Sequence, residues 1–202
     1  MDIQEAFSKI RSPETLSEKT VFVSLGIYCV SRALLSFINF TGFRSVFFLL
    51  LYLTALFGIV VGLVMIIKLI GKIKDDFLKL GFLGLGLWLI AEGLSVFIPS
   101  VKEMYFLKVA LSFGAGALII IGAVNREVVR QAAGIFLLGF YLFLNGITVI
   151  VNIFYAWDER IQIIIGFAFI SLLFMAGLLL MLGWPGGGII EEDNYDDVPK
   201  IE

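Results

Sequence analysis

Six stretches of the chain, residues 20–38, 45–67, 80–98, 105–124, 132–155 and 161–183, are predominantly apolar. A helix rising 1.5 Å per residue needs ~20 apolar residues to cross a hydrocarbon core, and each stretch is close to that length. Inside lipid every backbone N–H and C=O must be bonded within the segment, so isolated runs of this kind span as helices. The fold class expected is therefore all-α, a polytopic membrane protein with six transmembrane helices. Composition agrees: 60% of the residues are hydrophobic and 16% charged, with a mean hydropathy of +1.02, well beyond a soluble domain.

The residues that are missing narrow the chemistry. There is no histidine and one cysteine, Cys29, inside an apolar run. The commonest general base and metal ligand is thus absent, an internal disulfide is excluded, and neither a metal nor a cofactor is expected. A net charge of −2 offers nothing to nucleic acid, so the lipid bilayer is the expected partner, with other membrane proteins as a further one. The first twenty residues are polar and acidic rather than signal-like, and no small-residue cleavage pattern follows the first apolar run, so that span is expected to remain.

The chain divides into an N-terminal amphipathic segment, residues 1–19, a membrane domain, 20–183, and an acidic tail, 184–202. Ile3, Ala6, Phe7 and Ile10 share one helical face, as an interfacial helix requires. Ser12-Pro13-Glu14 then reads as a helix start. In the tail, Glu191, Glu192, Asp193, Asp196 and Asp197 follow three glycines, a composition expected to be disordered. Basic residues in short connections set orientation. Lys9, Arg11, Lys19, Lys68, Lys72, Lys74, Lys79, Arg126, Arg130 and Lys200 lie on the side of both termini, against Arg44, Lys102, Lys108 and Arg160 on the other. Both termini are expected to be cytoplasmic, in the cell membrane.

The odd-numbered spans resemble one another. Leu25-Gly26-Ile27-Tyr28 leads to Arg32-Ala33-Leu34, Leu85-Gly86-Leu87-Trp88 to Glu92-Gly93-Leu94, and Leu138-Gly139-Phe140-Tyr141 to Asn145-Gly146-Ile147. Each is Leu-Gly-apolar-aromatic, then a polar residue, a small one, and Leu or Ile. Among the even spans Gly62 and Gly122 match at the same sixty-residue offset. The expectation is three helical hairpin repeats, about 20–71, 80–125 and 132–183, in parallel orientation about a pseudo-threefold axis along the membrane normal.

Arg32, Glu92 and Asn145 fall at matching positions of this pattern. A lone charge at the bilayer centre costs ~2.5–3.5 kcal/mol on insertion scales, so such residues normally face inward and find partners. If the odd spans line the axis, Arg32 pairs with Glu92 and Asn145 takes up a remaining donor or acceptor. Tyr28, Arg32 and Ser36 share a helical stripe, as do Tyr141 and Asn145, while Trp88, Glu92 and Ser95 belong to the third span. The cluster reads either as a structural device fixing helix register or as a titrating and conducting site, with Glu92 as the proton carrier and Arg32 its tuner. Gly58-x-x-x-Gly62 permits close helix packing, within the monomer or at a dimer face. No proline interrupts a span, which counts against an alternating-access carrier.

Three successive two-helix membrane repeats rich in Gly and Leu, with Pro99 between the helices of the middle one, resemble the HdeD-like short-repeat membrane proteins. The resemblance covers residues 20–183 and implies a non-enzymatic membrane protein linked to stress, with no catalytic residues to carry over. The function expected is a structural or accessory role, as a membrane-complex subunit or in envelope stress tolerance. The alternative is a small channel or proton-coupled transporter using the Glu92/Arg32 pair.

Overall fold

The computed structural model describes residues 13–41, 44–73, 75–98, 102–124, 133–155 and 157–182. Six helices follow in chain order: α1 (Pro13–Thr41), α2 (Arg44–Lys68), α3 (Asp76–Phe97), α4 (Lys102–Val124), α5 (Ala133–Phe154) and α6 (Glu159–Leu182). All six are long and apolar enough to span a membrane, which makes this an all-α polytopic protein. The segment 1–11, the Ser12 cap and the tail from 184 lie outside the described residues.

Local chemistry explains the visible ends. The chain leaves α2 through a single 3-10 turn, Ile70–Lys72, and enters α3 at Asp75, whose Oδ1 accepts from the Leu78 N–H at 2.9 Å. A carboxylate there satisfies an orphan amide and complements the positive end of the helix. Across the bundle, α3 stops at Ile98, the residue before Pro99, where the helical conformation is disfavoured.

Each helix packs against its sequence neighbours, and α6 returns to pack against α1, closing a six-membered ring. Without a hydrophobic force between helices in lipid, such contacts depend on close backbone approach through small residues. Three reciprocal glycine pairs supply it. A Cβ on Gly62 of α2 would sit 2.7 Å from the Gly86 carbonyl oxygen of α3, and one on Gly116 of α4 would lie 2.7 Å from that of Gly139 on α5. One on Gly26 of α1 would likewise meet the Gly177 carbonyl of α6 at 2.7 Å. Every pair joins an even helix to the odd helix that follows it around the ring.

Gly26, Gly86 and Gly139 are the three glycines of the Leu-Gly pattern. Their partners Gly62, Gly116 and Gly177 do not follow the sixty-residue offset that aligns Gly62 with Gly122. Gly122 instead faces Leu78 and Asp75, within the α3–α4 hairpin. Gly58, the other half of the Gly58-x-x-x-Gly62 pattern, leaves room for the Tyr28 ring, with 2.7 Å from a built Cβ to Cε2. Both glycines of that pattern are used within the monomer.

Burial is greatest in α1 and α3, each with 44% of the most apolar window buried, followed by α4 and α5 at 33%, α2 at 28% and α6 at 22%. Phe22 and Phe82 meet edge to face at 5.9 Å, and with Leu25, Leu85, Ile135 and Leu138 they form a closed apolar floor in the half of the bundle nearest the termini. All six are 2% exposed or less. The outer faces of α2 and α6 show Leu49, Leu53, Leu56, Ile67, Ile164 and Phe167, as a lipid-facing surface requires.

Candidate functional site: a polar chamber above the apolar floor

One helical turn beyond Tyr28, Trp88 and Tyr141, on the side away from the termini, the interior becomes polar. α1 and α3 each pack along α2, and the Arg32 Nη2 donates to Glu92 Oε1 between them. Lys108 of α4 donates from Nζ to Glu92 Oε2 at 2.8 Å and to Ser95 Oγ at 3.1 Å. Both carboxylate oxygens are therefore occupied, each by a cation from a different helix. The three side chains retain 27%, 15% and 23% exposure for Arg32, Glu92 and Lys108. The cluster is thus partly accessible rather than sealed.

The surrounding hydroxyls are spent on their own helices. Ser36 Oγ donates to the Arg32 carbonyl at 3.0 Å, and Ser95 Oγ to the Glu92 carbonyl at 2.7 Å. Such backbone bonds satisfy serine within a helix and give the Ser95 oxygen a lone pair to offer Lys108. Asn145 does not bond the Arg32–Glu92 pair as expected. Its Nδ2 donates to Ser112 Oγ of α4 at 3.3 Å, and Ser112 in turn donates to the Leu142 carbonyl of α5 at 2.8 Å. The cause is geometric: Lys108 already fills the second oxygen of Glu92, and Ser112 is nearer to hand on the neighbouring helix.

Two cavities meet at this cluster. One of about 200 Å³ is lined by Arg32, Trp88, Glu92, Tyr105, Lys108, Tyr141 and Asn145. The other, about 380 Å³, lies between α1, α2, α5 and α6, with Arg32 its single charged lining residue. Arg32 and Tyr141 line both, and Tyr141 is held by an edge-to-face contact with Phe169 at 5.8 Å.

The sequence-identified residues thus gather as follows. Arg32, Glu92, Asn145, Trp88 and Tyr141 share the smaller cavity, and Ser36 lines the larger. Tyr28 is buried against Gly58 instead. Lys108 is the residue that sequence reasoning missed. Near the start of its span it reads as a residue of the distal loop side, but the α3–α4 hairpin folds it back against Glu92, sixteen residues earlier in the chain. Among the described residues no group of three His, Cys, Asp or Glu could hold a metal ion. Compared with protein-family models, curated proteins and solved structures, the chain has no match.

Proposed function

We propose that this multi-pass membrane protein is non-enzymatic and non-conducting, and serves as an accessory or structural component of a membrane complex. One observation carries the reading: Glu92, the acidic side chain of the chamber, has both oxygens engaged by Arg32 and Lys108, above a floor closed by Phe22, Leu25, Phe82, Leu85, Ile135 and Leu138. A proton carrier needs a carboxylate free to change charge and a path on either side of it. Here the carboxylate instead ties α1, α3 and α4 together, while Asn145 and Ser112 tie α4 to α5. The glycine pairs support the further reading of three hairpins repeated about a pseudo-threefold axis. That arrangement is in keeping with the short-repeat resemblance and with a role in envelope stress tolerance.

The test is reconstitution into liposomes carrying a pH-sensitive dye inside. Under an imposed potential the expected proton leak equals that of protein-free vesicles, and Glu92→Gln leaves it unchanged. The runner-up, a small channel or proton-coupled transporter using Glu92 and Arg32, draws support from the two cavities that meet at Arg32. A leak abolished by Glu92→Gln in a folded protein would establish it in place of the accessory role.

The basic-residue bias supports termini in the cytoplasm of a cell-membrane protein. Cys29 is 1% exposed, so an impermeant maleimide has no native target among the described residues. The exposed Asp158, replaced by cysteine, is expected to label in intact cells without permeabilisation. Labelling only after lysis would reverse the orientation.

A further inference from the structure

The chamber carries two cations against one carboxylate. Among the described residues lining either cavity, Glu92 is the sole acid, and Arg32 and Lys108 are the bases. An unneutralised charge within a membrane-spanning bundle is costly unless water or a counter-ion meets it. Arg32 is the group left under-used. A guanidinium has five N–H donors, and among the described residues Arg32 donates one hydrogen bond, to Glu92. Its side chain lines both cavities.

The larger cavity has the complementary shape. Its polar lining is Arg32, Ser36, Asn39 and Tyr141, and the rest is apolar, including Phe47, Leu51 and Phe169. The Ser36 hydroxyl proton is already committed to the Arg32 carbonyl. A volume of about 380 Å³ far exceeds what one small ion fills, since a single water needs ~10–15 Å³ of such space. One cationic planar donor at the end of an apolar space matches an oxyanion with an apolar body.

We propose that this cavity binds an anionic amphiphile, its carboxylate or phosphate oxygens on the free donors of Arg32 and its apolar chain between Phe47, Leu51 and Phe169. Two sources share this chemistry: a free medium-chain carboxylate and an anionic phospholipid drawn from the bilayer. The site rests on Arg32 and the lining of the larger cavity, which does not include Glu92, and so stands apart from whether Glu92 carries protons.

The full chain in neutral detergent is titrated with decanoate and, separately, with decanol, following thermal unfolding. Decanoate is expected to raise the midpoint in a saturable, salt-sensitive way, and decanol is not. The same protein in nanodiscs is examined by native mass spectrometry for retained phosphatidylglycerol over phosphatidylcholine. Response in the first arm identifies a free carboxylate, and in the second alone a lipid headgroup. Because Arg32→Gln is liable to disturb folding, the deciding variant is Leu51→Trp. This fills the apolar half and leaves Arg32, Glu92 and Lys108 intact. It is expected to weaken binding at least tenfold. Equal effects of decanoate and decanol, no response in either arm, or unchanged binding by the Leu51→Trp protein would overturn the proposal.

Discussion

Glu92→Gln is expected to destabilise the bundle by about 3 kcal/mol, measured by unfolding in mixed detergent–SDS micelles. Glutamine keeps the shape of the side chain but removes the charge that Arg32 and Lys108 share. Two cations would then face an amide that neutralises neither: its one oxygen can accept from Arg32 or Lys108, and its NH2, itself a donor, would meet the other. Breaking a buried ion pair from one side costs ~3–5 kcal/mol because the remaining charge is stranded. The lower end applies here, since the three side chains retain 15–27% exposure and water can relieve part of the cost.

The same reasoning sets the companion result. Replacing all three members, as Arg32→Leu, Glu92→Leu and Lys108→Leu together, is expected to be far milder than Glu92→Gln alone, because no charge is left without a partner. A single variant as stable as the parent would show that water, rather than the ion triad, holds the charges. A triple variant less stable than the single one would show that the triad contributes net stability.

The second large effect concerns two glycines of α4 that sequence treats alike. Gly116→Leu is expected to lose at least about 3 kcal/mol, the upper part of the range for overpacking a fitted interior, and to be recovered largely as aggregate on size exclusion. Even a Cβ at this position would lie 2.7 Å from the Gly139 carbonyl oxygen and close against the backbone of Phe143. Backbone cannot rotate aside as a flexible side chain can. The α4–α5 seam would have to open, and with it the nearby Asn145–Ser112 bond.

Gly114, one residue removed from Ala115 on the same helix, has nothing within 4 Å of a built Cβ. Gly114→Ala is therefore expected to be neutral or to stabilise, up to the ~1 kcal/mol by which alanine exceeds glycine in helix propensity. Equal behaviour of the two sites in the same unfolding assay would mean that the α4–α5 packing is looser than the glycine pairs imply.

Much of the architecture was legible because a bilayer imposes a one-dimensional requirement. Length and hydropathy alone separate spanning segments from their connections, so the six membrane spans could be delimited to within a few residues. Arg32 and Glu92 were legible for a related reason. A charge inside an apolar run has so few tolerable environments that its need for a partner can be inferred before the partner is seen.

What could not be read was pairing that depends on helix rotation. Lys108 stands near a span end, where a basic residue is equally at home among headgroups. Only its rotation toward α3 brings Nζ to Glu92, and nothing in the order of residues sets that angle. Asn145 shows the converse: it lines the smaller cavity, but its bond goes to Ser112, because Lys108 already holds the Glu92 oxygen expected for it. Among the glycines the Leu-Gly pattern marked Gly26, Gly86 and Gly139, but their partners depend on which helices become neighbours when α6 closes on α1.

The sequence by itself determined that the chain is a six-helix membrane protein, since hydrocarbon leaves no other use for such segments, and that charges within them need partners. Tertiary structure alone decided that Glu92 is shared by two cations, that the glycines meet in reciprocal pairs, and that Arg32 stands between two cavities. Those features arise from contacts between helices far apart in the chain, whose rotations and neighbours are set by packing rather than by local order.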